Sequence, residues 1–301
     1  MAARWMDRDL VWSFRHRPDV VVWSVVLLVI VFAAIFAPWV APHNPFDLAT
    51  LNIGDALTPP AWAPGGNRTY LLGTDDQGRD VLSTIIFGSR MSLLVGVLAT
   101  LLAMVAGVTL GLVSGYAGGK VDALIMRIAD VQLAFPAILI ALLVDGVARA
   151  VFKTRFTDQL AFYVIVIAIA SSGWVRYART VRGSTLVERS REYVQAARVI
   201  GRHPLAIMFT HVLPNALNPV LVLVTLHVSE AIITEAILSF LGVGVPPTQP
   251  SLGTLIRIGN DFLFSGEWWI TVFPGAALVI LVLAINVLGD WLRDALNPRL
   301  R

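Results

Sequence analysis

The sequence predicts an all-α, polytopic membrane protein with six transmembrane helices, and three observations carry that expectation. Of its 301 residues, 56% are hydrophobic and only 14% charged, against about 25% charged in a soluble domain. Several uncharged runs reach the length of about 20 apolar residues that a bilayer crossing needs. The basic residues are unevenly placed around those runs, with 16 on one face and 7 on the other, as the positive-inside rule leads one to expect. This composition excludes disorder and argues against a soluble enzyme. A net charge of +3 is too small to attract nucleic acid by its field alone. With no cysteine, there is no disulfide framework, zinc-thiolate site or thiol nucleophile.

The first span is the core Val20 to Val40 of a run of 27 residues between Asp19 and Asp47 that lacks Asp, Glu, Lys and Arg. That core exceeds the roughly 7 to 15 apolar residues of a signal-peptide h-region, so an uncleaved span is expected. A second span is read from Met91 to Gly119 and a third from Ile128 to Ala148, with Asp130 and Asp145 near the two interfaces. A fourth runs from Gln159 to Val175, a fifth from Leu217 to Leu238 and a sixth from Trp268 to Gly289. Six crossings put both termini on one side, and the basic excess makes that side cytoplasmic. The outer face then holds a Pro-, Gly- and Asp-rich loop from about Ala41 to Arg90, long enough to pack as a small cap or partner surface. Trp12, Trp23, Trp39, Trp174, Trp268, Trp269 and Trp291 fall near span ends, as an aromatic belt does.

The inner loop between spans four and five reads as helix. Arg176, Arg179 and Arg182 recur at three-residue steps and extend span four inward, where they are expected to snorkel to headgroups. Ser190 is a plausible N-cap, with Glu192 in the first turn at the positive end of the helix dipole. That short helix carries Ala196 and Ala197 and stops at Gly201, which can take the left-handed C-cap conformation. Pro204 then suits the first position of a second short helix, which the Leu213-Pro214-Asn215 turn is expected to end. Small residues let another surface approach the backbone closely, and a helix pair with defined stops is stiff enough to carry force. From composition alone, an amphipathic hairpin lying passively on lipid is the alternative.

The string REYVQAARVIGRHPLAIMFTHVLPN, Arg191 to Asn215, resembles the cytoplasmic coupling loop of ABC importer permeases: Glu-Ala-Ala, three residues, Gly, nine residues, then an apolar-x-Leu-Pro ending. Gln195 replaces the glutamate, and His211 fills the apolar place before Leu213-Pro214-Asn215 as in the peptide-importer branch. LLGTDDQGRDVLSTIIFGSRMSL (Leu71 to Leu93), GYAGGKVDALIMRIADVQLAFP after span two, EAILSFLGVGVPP from Glu235 and GDWLRDALNPR at the carboxyl end are similar to the C-type permease subunit of dipeptide, oligopeptide and nickel importers. Thr84 stands where that group usually has Arg, and Leu252 where it has an aromatic. The resemblance implies a type I ABC importer permease fold in a bacterial inner membrane. It divides the chain into an N-terminal region over 1–88 with the first helix and extracytoplasmic loop, a permease core over 89–290, and a cytoplasmic tail over 291–301. It also implies a homologous B-type permease, two ATP-binding subunits or domains, an extracytoplasmic binding protein that delivers peptides, and alternating access driven by ATP in the partners. Glu192, Gln195, Ala196, Ala197, Gly201, His211, Leu213, Pro214 and Asn215 are then the ATPase-docking coupling loop. Nickel chelates or another small solute are the alternative cargo.

No cofactor, metal site or catalytic residue is expected. Ser172 and His227 could be cast as an intramembrane serine dyad, but Ala170 stands where the glycine two residues before such a serine belongs. His16, His43, His203, His211 and His227 form no helical ligand pair, and there is no phosphate-binding G-x-x-x-x-G-K-[ST] loop. Charge rings or interrupted helices in inverted halves, the marks of a channel or secondary carrier, are not evident. Glu230 and Glu235 in span five are candidate pathway or subunit-interface groups, since an ionisable side chain at membrane depth is functional by default. Five residues apart, they point about 140° from one another on a helix. Glu235 is expected at an interfacial or subunit contact, and Glu230 either on the cargo path or paired with the partner permease.

Overall fold

A computed structural model describes residues 12–47, 51–153 and 157–296. The basic residues Arg4, Arg8, Arg155, Arg299 and Arg301, and the end of the tail, lie outside them. Among the described residues the regular structure is helical. Five helices are long and apolar enough to cross a membrane: α1 Pro18–Ile35, α2 Val81–Ala117, α5 Asp158–Glu188, α7 Asn218–Phe240 and α9, which begins at Trp269 and ends at Leu296. Between α2 and α5 lie α3 Gly119–Leu133 and α4 Ala137–Phe152, bent by 96° from one another, which make a sixth crossing if the pair is taken as one broken span. α6 Glu192–Val199 follows the C-terminal end of α5, and α8 Leu252–Asn260 follows the C-terminal end of α7.

The third span therefore differs from the continuous helix Ile128 to Ala148 expected above. Phe135-Pro136 explains the difference, because proline supplies no backbone N–H and pushes the residue before it out of the helical region. α3 is too polar to cross by itself. Other boundaries are longer than expected for a simple reason: apolarity marks the membrane, while caps mark the helix. α2 starts ten residues before Met91, where Asp80 accepts the Ser83 N–H at 2.9 Å. It crosses the expected 88/89 boundary and stops at Gly118, whose φ is +67°. α5 starts at a Thr157 cap and runs 31 residues, past Val175 to Glu188.

The centre of the bundle is the α2–α5 contact. Gly107, Gly111 and Gly115 repeat every four residues on α2 and let the α5 backbone touch it directly. A Cβ on Gly107 would sit 2.3 Å from the Trp174 carbonyl oxygen, and one on Gly111 2.4 Å from that of Ala178. Between membrane helices, where lipid is as apolar as leucine, such small-residue stripes supply the packing. The segment before α2 packs as a small cap at the N-terminal end of that helix. Asp75 and Arg79 pair within it at 2.6 Å, both buried, and Trp269 Nε1 donates to the Thr74 carbonyl at 3.0 Å. Trp269 is thus a buried clamp between cap and α9, and Trp174 donates to Gln132 Oε1 at 2.7 Å; neither is a plain belt residue.

Candidate functional site

At the inner end of α5, the Ser190 hydroxyl donates to the Val187 carbonyl at 2.7 Å and closes α5. It does not cap α6, whose N-cap is Arg191 without a side-chain bond. α6 ends as expected at Gly201. There φ is +80°, Gly201 N–H reaches the Arg198 carbonyl at 2.9 Å, and Arg202 N–H reaches Ala197 at 3.1 Å. This paired 5→2 and 6→1 closure is the Schellman motif. It throws Val199 and Ile200 outward, 88% and 79% exposed.

The two alanines do not share a face. Ala196 is exposed, whereas Ala197 is buried with Val194 against the inner core of Tyr177, Val181 and Ile207. Glu192 and Gln195 are exposed, and Gln195 Nε2 donates to the Arg189 carbonyl at 3.4 Å. His203 caps the next turn, accepting the Leu205 N–H at 3.3 Å, with Pro204 first in it. The chain does not stop at Leu213-Pro214-Asn215. It widens to a π turn over Met208–Val212 and resumes as helix over Leu213–Ala216, leading into α7. Pro214 has no N–H for the Thr210 carbonyl, and the wider turn accommodates that loss.

The sequence reading overlooked Tyr193. Its hydroxyl donates to Glu188 and accepts from Asn215 Nδ2 at 3.0 Å, while Asn215 Nδ2 also reaches the His211 carbonyl at 3.0 Å. The ring lies parallel to His211. Burial, then the Glu188 hydrogen bond, raises the Tyr193 pKa above the ordinary phenol value, so the hydroxyl remains a donor. Through this one side chain α5, α6 and the π turn are stapled together. The signal was an aromatic residue on a short helix next to the polar Glu192 and close to Glu188 and Asn215.

The three stepped arginines do not reach for headgroups. Arg176 pairs with Glu230 of α7, Arg179 with Asp130 of α3 at 2.5 Å, and Arg182 with Asp122 of α3 at 2.5 and 2.6 Å. Asp122 also accepts the Ser114 hydroxyl of α2 at 2.5 Å. Their carboxylate partners lie 49 to 60 residues away in sequence, beyond any local pattern. Glu230 thus finds its partner within this chain. Glu235, expected at a subunit contact, is fully buried instead. Its carboxylate accepts Ser92 Oγ at 2.9 Å and Ser239 Oγ at 2.6 Å, and Ser92 Oγ accepts the Leu252 N–H at 3.2 Å. It knits α2, α7 and α8 together. Ser172 and His227 form no dyad: Ser172 Oγ donates to the Ile169 carbonyl at 2.8 Å, and His227 Nδ1 bonds the Tyr177 hydroxyl at 3.0 Å.

The chain belongs to the family of binding-protein-dependent transport system inner membrane components, whose model matches residues 107–301; the N-terminal transmembrane domain of oligopeptide transport permease C matches residues 5–60. It is 40% identical over 289 residues to the di/tripeptide transport system permease protein DppC of Pseudomonas aeruginosa, covering 96% of this chain and 91% of that one. It is 43% identical to the dipeptide transport system permease protein DppC of Escherichia coli, with the same coverage. To the oligopeptide transport system permease protein OppC of Bacillus subtilis it is 37% identical, covering 98% of this chain and 90% of that one. The inward-facing MetNI methionine ABC transporter has the same permease fold, with a TM-score of 0.55 at 20% identity over 71% of this chain and 96% of that one.

Proposed function

We propose that this chain is one of two transmembrane permease subunits of an ATP-driven peptide importer, with both termini cytoplasmic. Its partners are a homologous permease, two ATP-binding subunits or domains, and an extracytoplasmic binding protein that delivers di- or oligopeptides. The chain supplies half of the path and no ATP chemistry. The observation that carries this reading is the α6 hairpin. Its Schellman turn offers Val199 and Ile200 to an outside surface, while Val194, Ala197 and the Tyr193 staple fix its base to α5 and α7. An exposed apolar pair on a rigid base is built to dock. The names of its relatives support peptide as cargo. The docking surface is accordingly Val199, Ile200, Ala196 and Gly201, with Ala197 beneath it.

The test is copurification followed by uptake. The tagged chain, expressed with its partners, should bring down two ATP-binding subunits and support peptide uptake that requires ATP and the binding protein. Val199→Asp with Ile200→Asp should abolish both while leaving the chain in the membrane. ATPase-independent uptake by the chain alone would refute this reading in favour of a carrier or channel.

A further inference from the structure

Arg176 and Glu230 are exposed at membrane depth, their side chains 52% and 47% accessible. Glu230 stands 12 residues into the 23-residue α7, about 18 Å from its inner end at 1.5 Å per residue. A half-exposed ion pair at that level is costly against lipid tails, which favours a polar surround over lipid. The rest of the face agrees. Arg176 borders a recess of about 340 Å³ at the α3–α4 bend, where Gln132, Ser172, Arg179 and Thr180 alternate with apolar residues such as Phe135 and Ile140. That volume falls in the range of about 300–1,000 Å³ typical of small-ligand sites.

The backbone holds the two charges in place. Gly173, one turn before Arg176, comes so close to His227 that a Cβ would lie 2.3 Å from the imidazole ring. The buried Tyr177–His227 bond then locks α5 to α7 immediately behind the pair. Arg176 Nη2 lies 2.7 Å from Glu230 Oε1, with a second contact from Nη1 to Oε2, a two-point fork. Such a pair, half in water, is inexpensive to open, and opening it presents a guanidinium and a carboxylate side by side.

Resting on the reading of the chain as a peptide permease, we propose that this pair is a terminus-binding site in the path. Arg176 takes the carboxylate of a zwitterionic peptide and Glu230 its ammonium group, the peptide replacing the internal ion pair charge for charge. The guanidinium fork matches a carboxylate in two bonds.

The test uses the full complex in proteoliposomes with radiolabelled dialanine. The double variant Arg176→Gln/Glu230→Gln removes both charges together, leaving neither unpaired. Assembly and stimulation of ATP hydrolysis by the loaded binding protein should be retained, with dialanine uptake per ATP at least tenfold lower. In a second arm, Ile233→Cys, one turn from Glu230 and 41% exposed, should react in the assembled complex with a charged aqueous thiol reagent. Saturating dialanine should slow that reaction at least threefold. Uptake within twofold of wild type overturns the site, as does loss of assembly, which would make the pair a subunit contact, or an unreactive Ile233→Cys. A wild-type complex that takes up no member of a panel of di- to pentapeptides refutes the peptide reading itself, and the site with it.

Discussion

Replacing Gly201 separates two reasons why a glycine could be needed at the tip of the hairpin. The first is backbone conformation: φ is +80°, a region that costs an L-residue roughly 1–2 kcal/mol, less for Asn and more for a β-branched side chain. The second is room for the docking partner. Inside this chain nothing lies within 4 Å of a Cβ built at Gly201, so a substitution there meets no internal clash. If conformation is what matters, Gly201→Asn should keep most uptake, and Gly201→Val should lose it. A penalty near 2 kcal/mol lowers the population of the closed Schellman turn about 30-fold. If room for the partner is what matters, Asn and Val should fail together, and Gly201→Ala should outperform Asn. The assay is peptide uptake and ATP hydrolysis by the purified complex, with retained subunits quantified. Normal uptake by Gly201→Val in a fully assembled complex would refute both reasons and remove the turn from coupling.

Three further outcomes are expected. Ser265→Cys, exposed on the outer side, should be labelled by an impermeant maleimide in intact cells and Ser184→Cys only after permeabilisation; the reverse pattern would invert the topology. Gly111→Ala places a Cβ 2.4 Å from the Ala178 carbonyl and should destabilise the detergent-purified chain by about 1–3 kcal/mol. Gly183→Ala, in α5 with open space at its Cβ, should leave the midpoint unchanged or raise it, and equal shifts would show that the stripe is not a contact. In the outer cap, burial and then the neighbouring Asp75 hold the Asp76 pKa above its ordinary 3.8. The folded cap therefore binds a proton more tightly than the unfolded one. Its stability should fall as pH rises from about 3.8 through the higher folded value and then level off, and Asp76→Asn should flatten that slope in amide protection of residues 55–80.

Apolar length and basic asymmetry made five of the six crossings legible, and turn chemistry located the hairpin because Gly201 and Pro204 act locally. The interruption of the third crossing was also legible, since Phe135-Pro136 stands in the middle of the run. The α2 stripe Gly107, Gly111, Gly115 was visible as a four-residue repeat and went unread. What local pattern could not supply was partnership. Nothing near Arg176, Arg179 or Arg182 indicates that Glu230, Asp130 and Asp122 receive them. Helical phase did separate Glu230 from Glu235, but which of the two was buried depended on Ser92 and Leu252 arriving from α2 and α8.

Those partnerships give α5 a mechanical role that its sequence does not express. From its inner end upward it is tied to the hairpin through Glu188 and Tyr193, to the α2 end through Arg189 and the Gly115 carbonyl at 2.9 Å, then to α3 through Arg182 and Arg179, and to α7 through Arg176. The glycine contact with α2 adds close packing to these ties, which tolerates little sliding. The polar ties differ in kind. Arg182–Asp122 is sheltered and shared with Ser114, whereas Arg179–Asp130 and Arg176–Glu230 are both half exposed. A displacement delivered at the hairpin would therefore move α5, α2 and the adjoining part of α3 as one body, and the loosest ties on that body are the two exposed pairs, Arg179–Asp130 and Arg176–Glu230. On the proposed reading, rearrangement is cheapest at those pairs, and the same helix connects them to the hairpin.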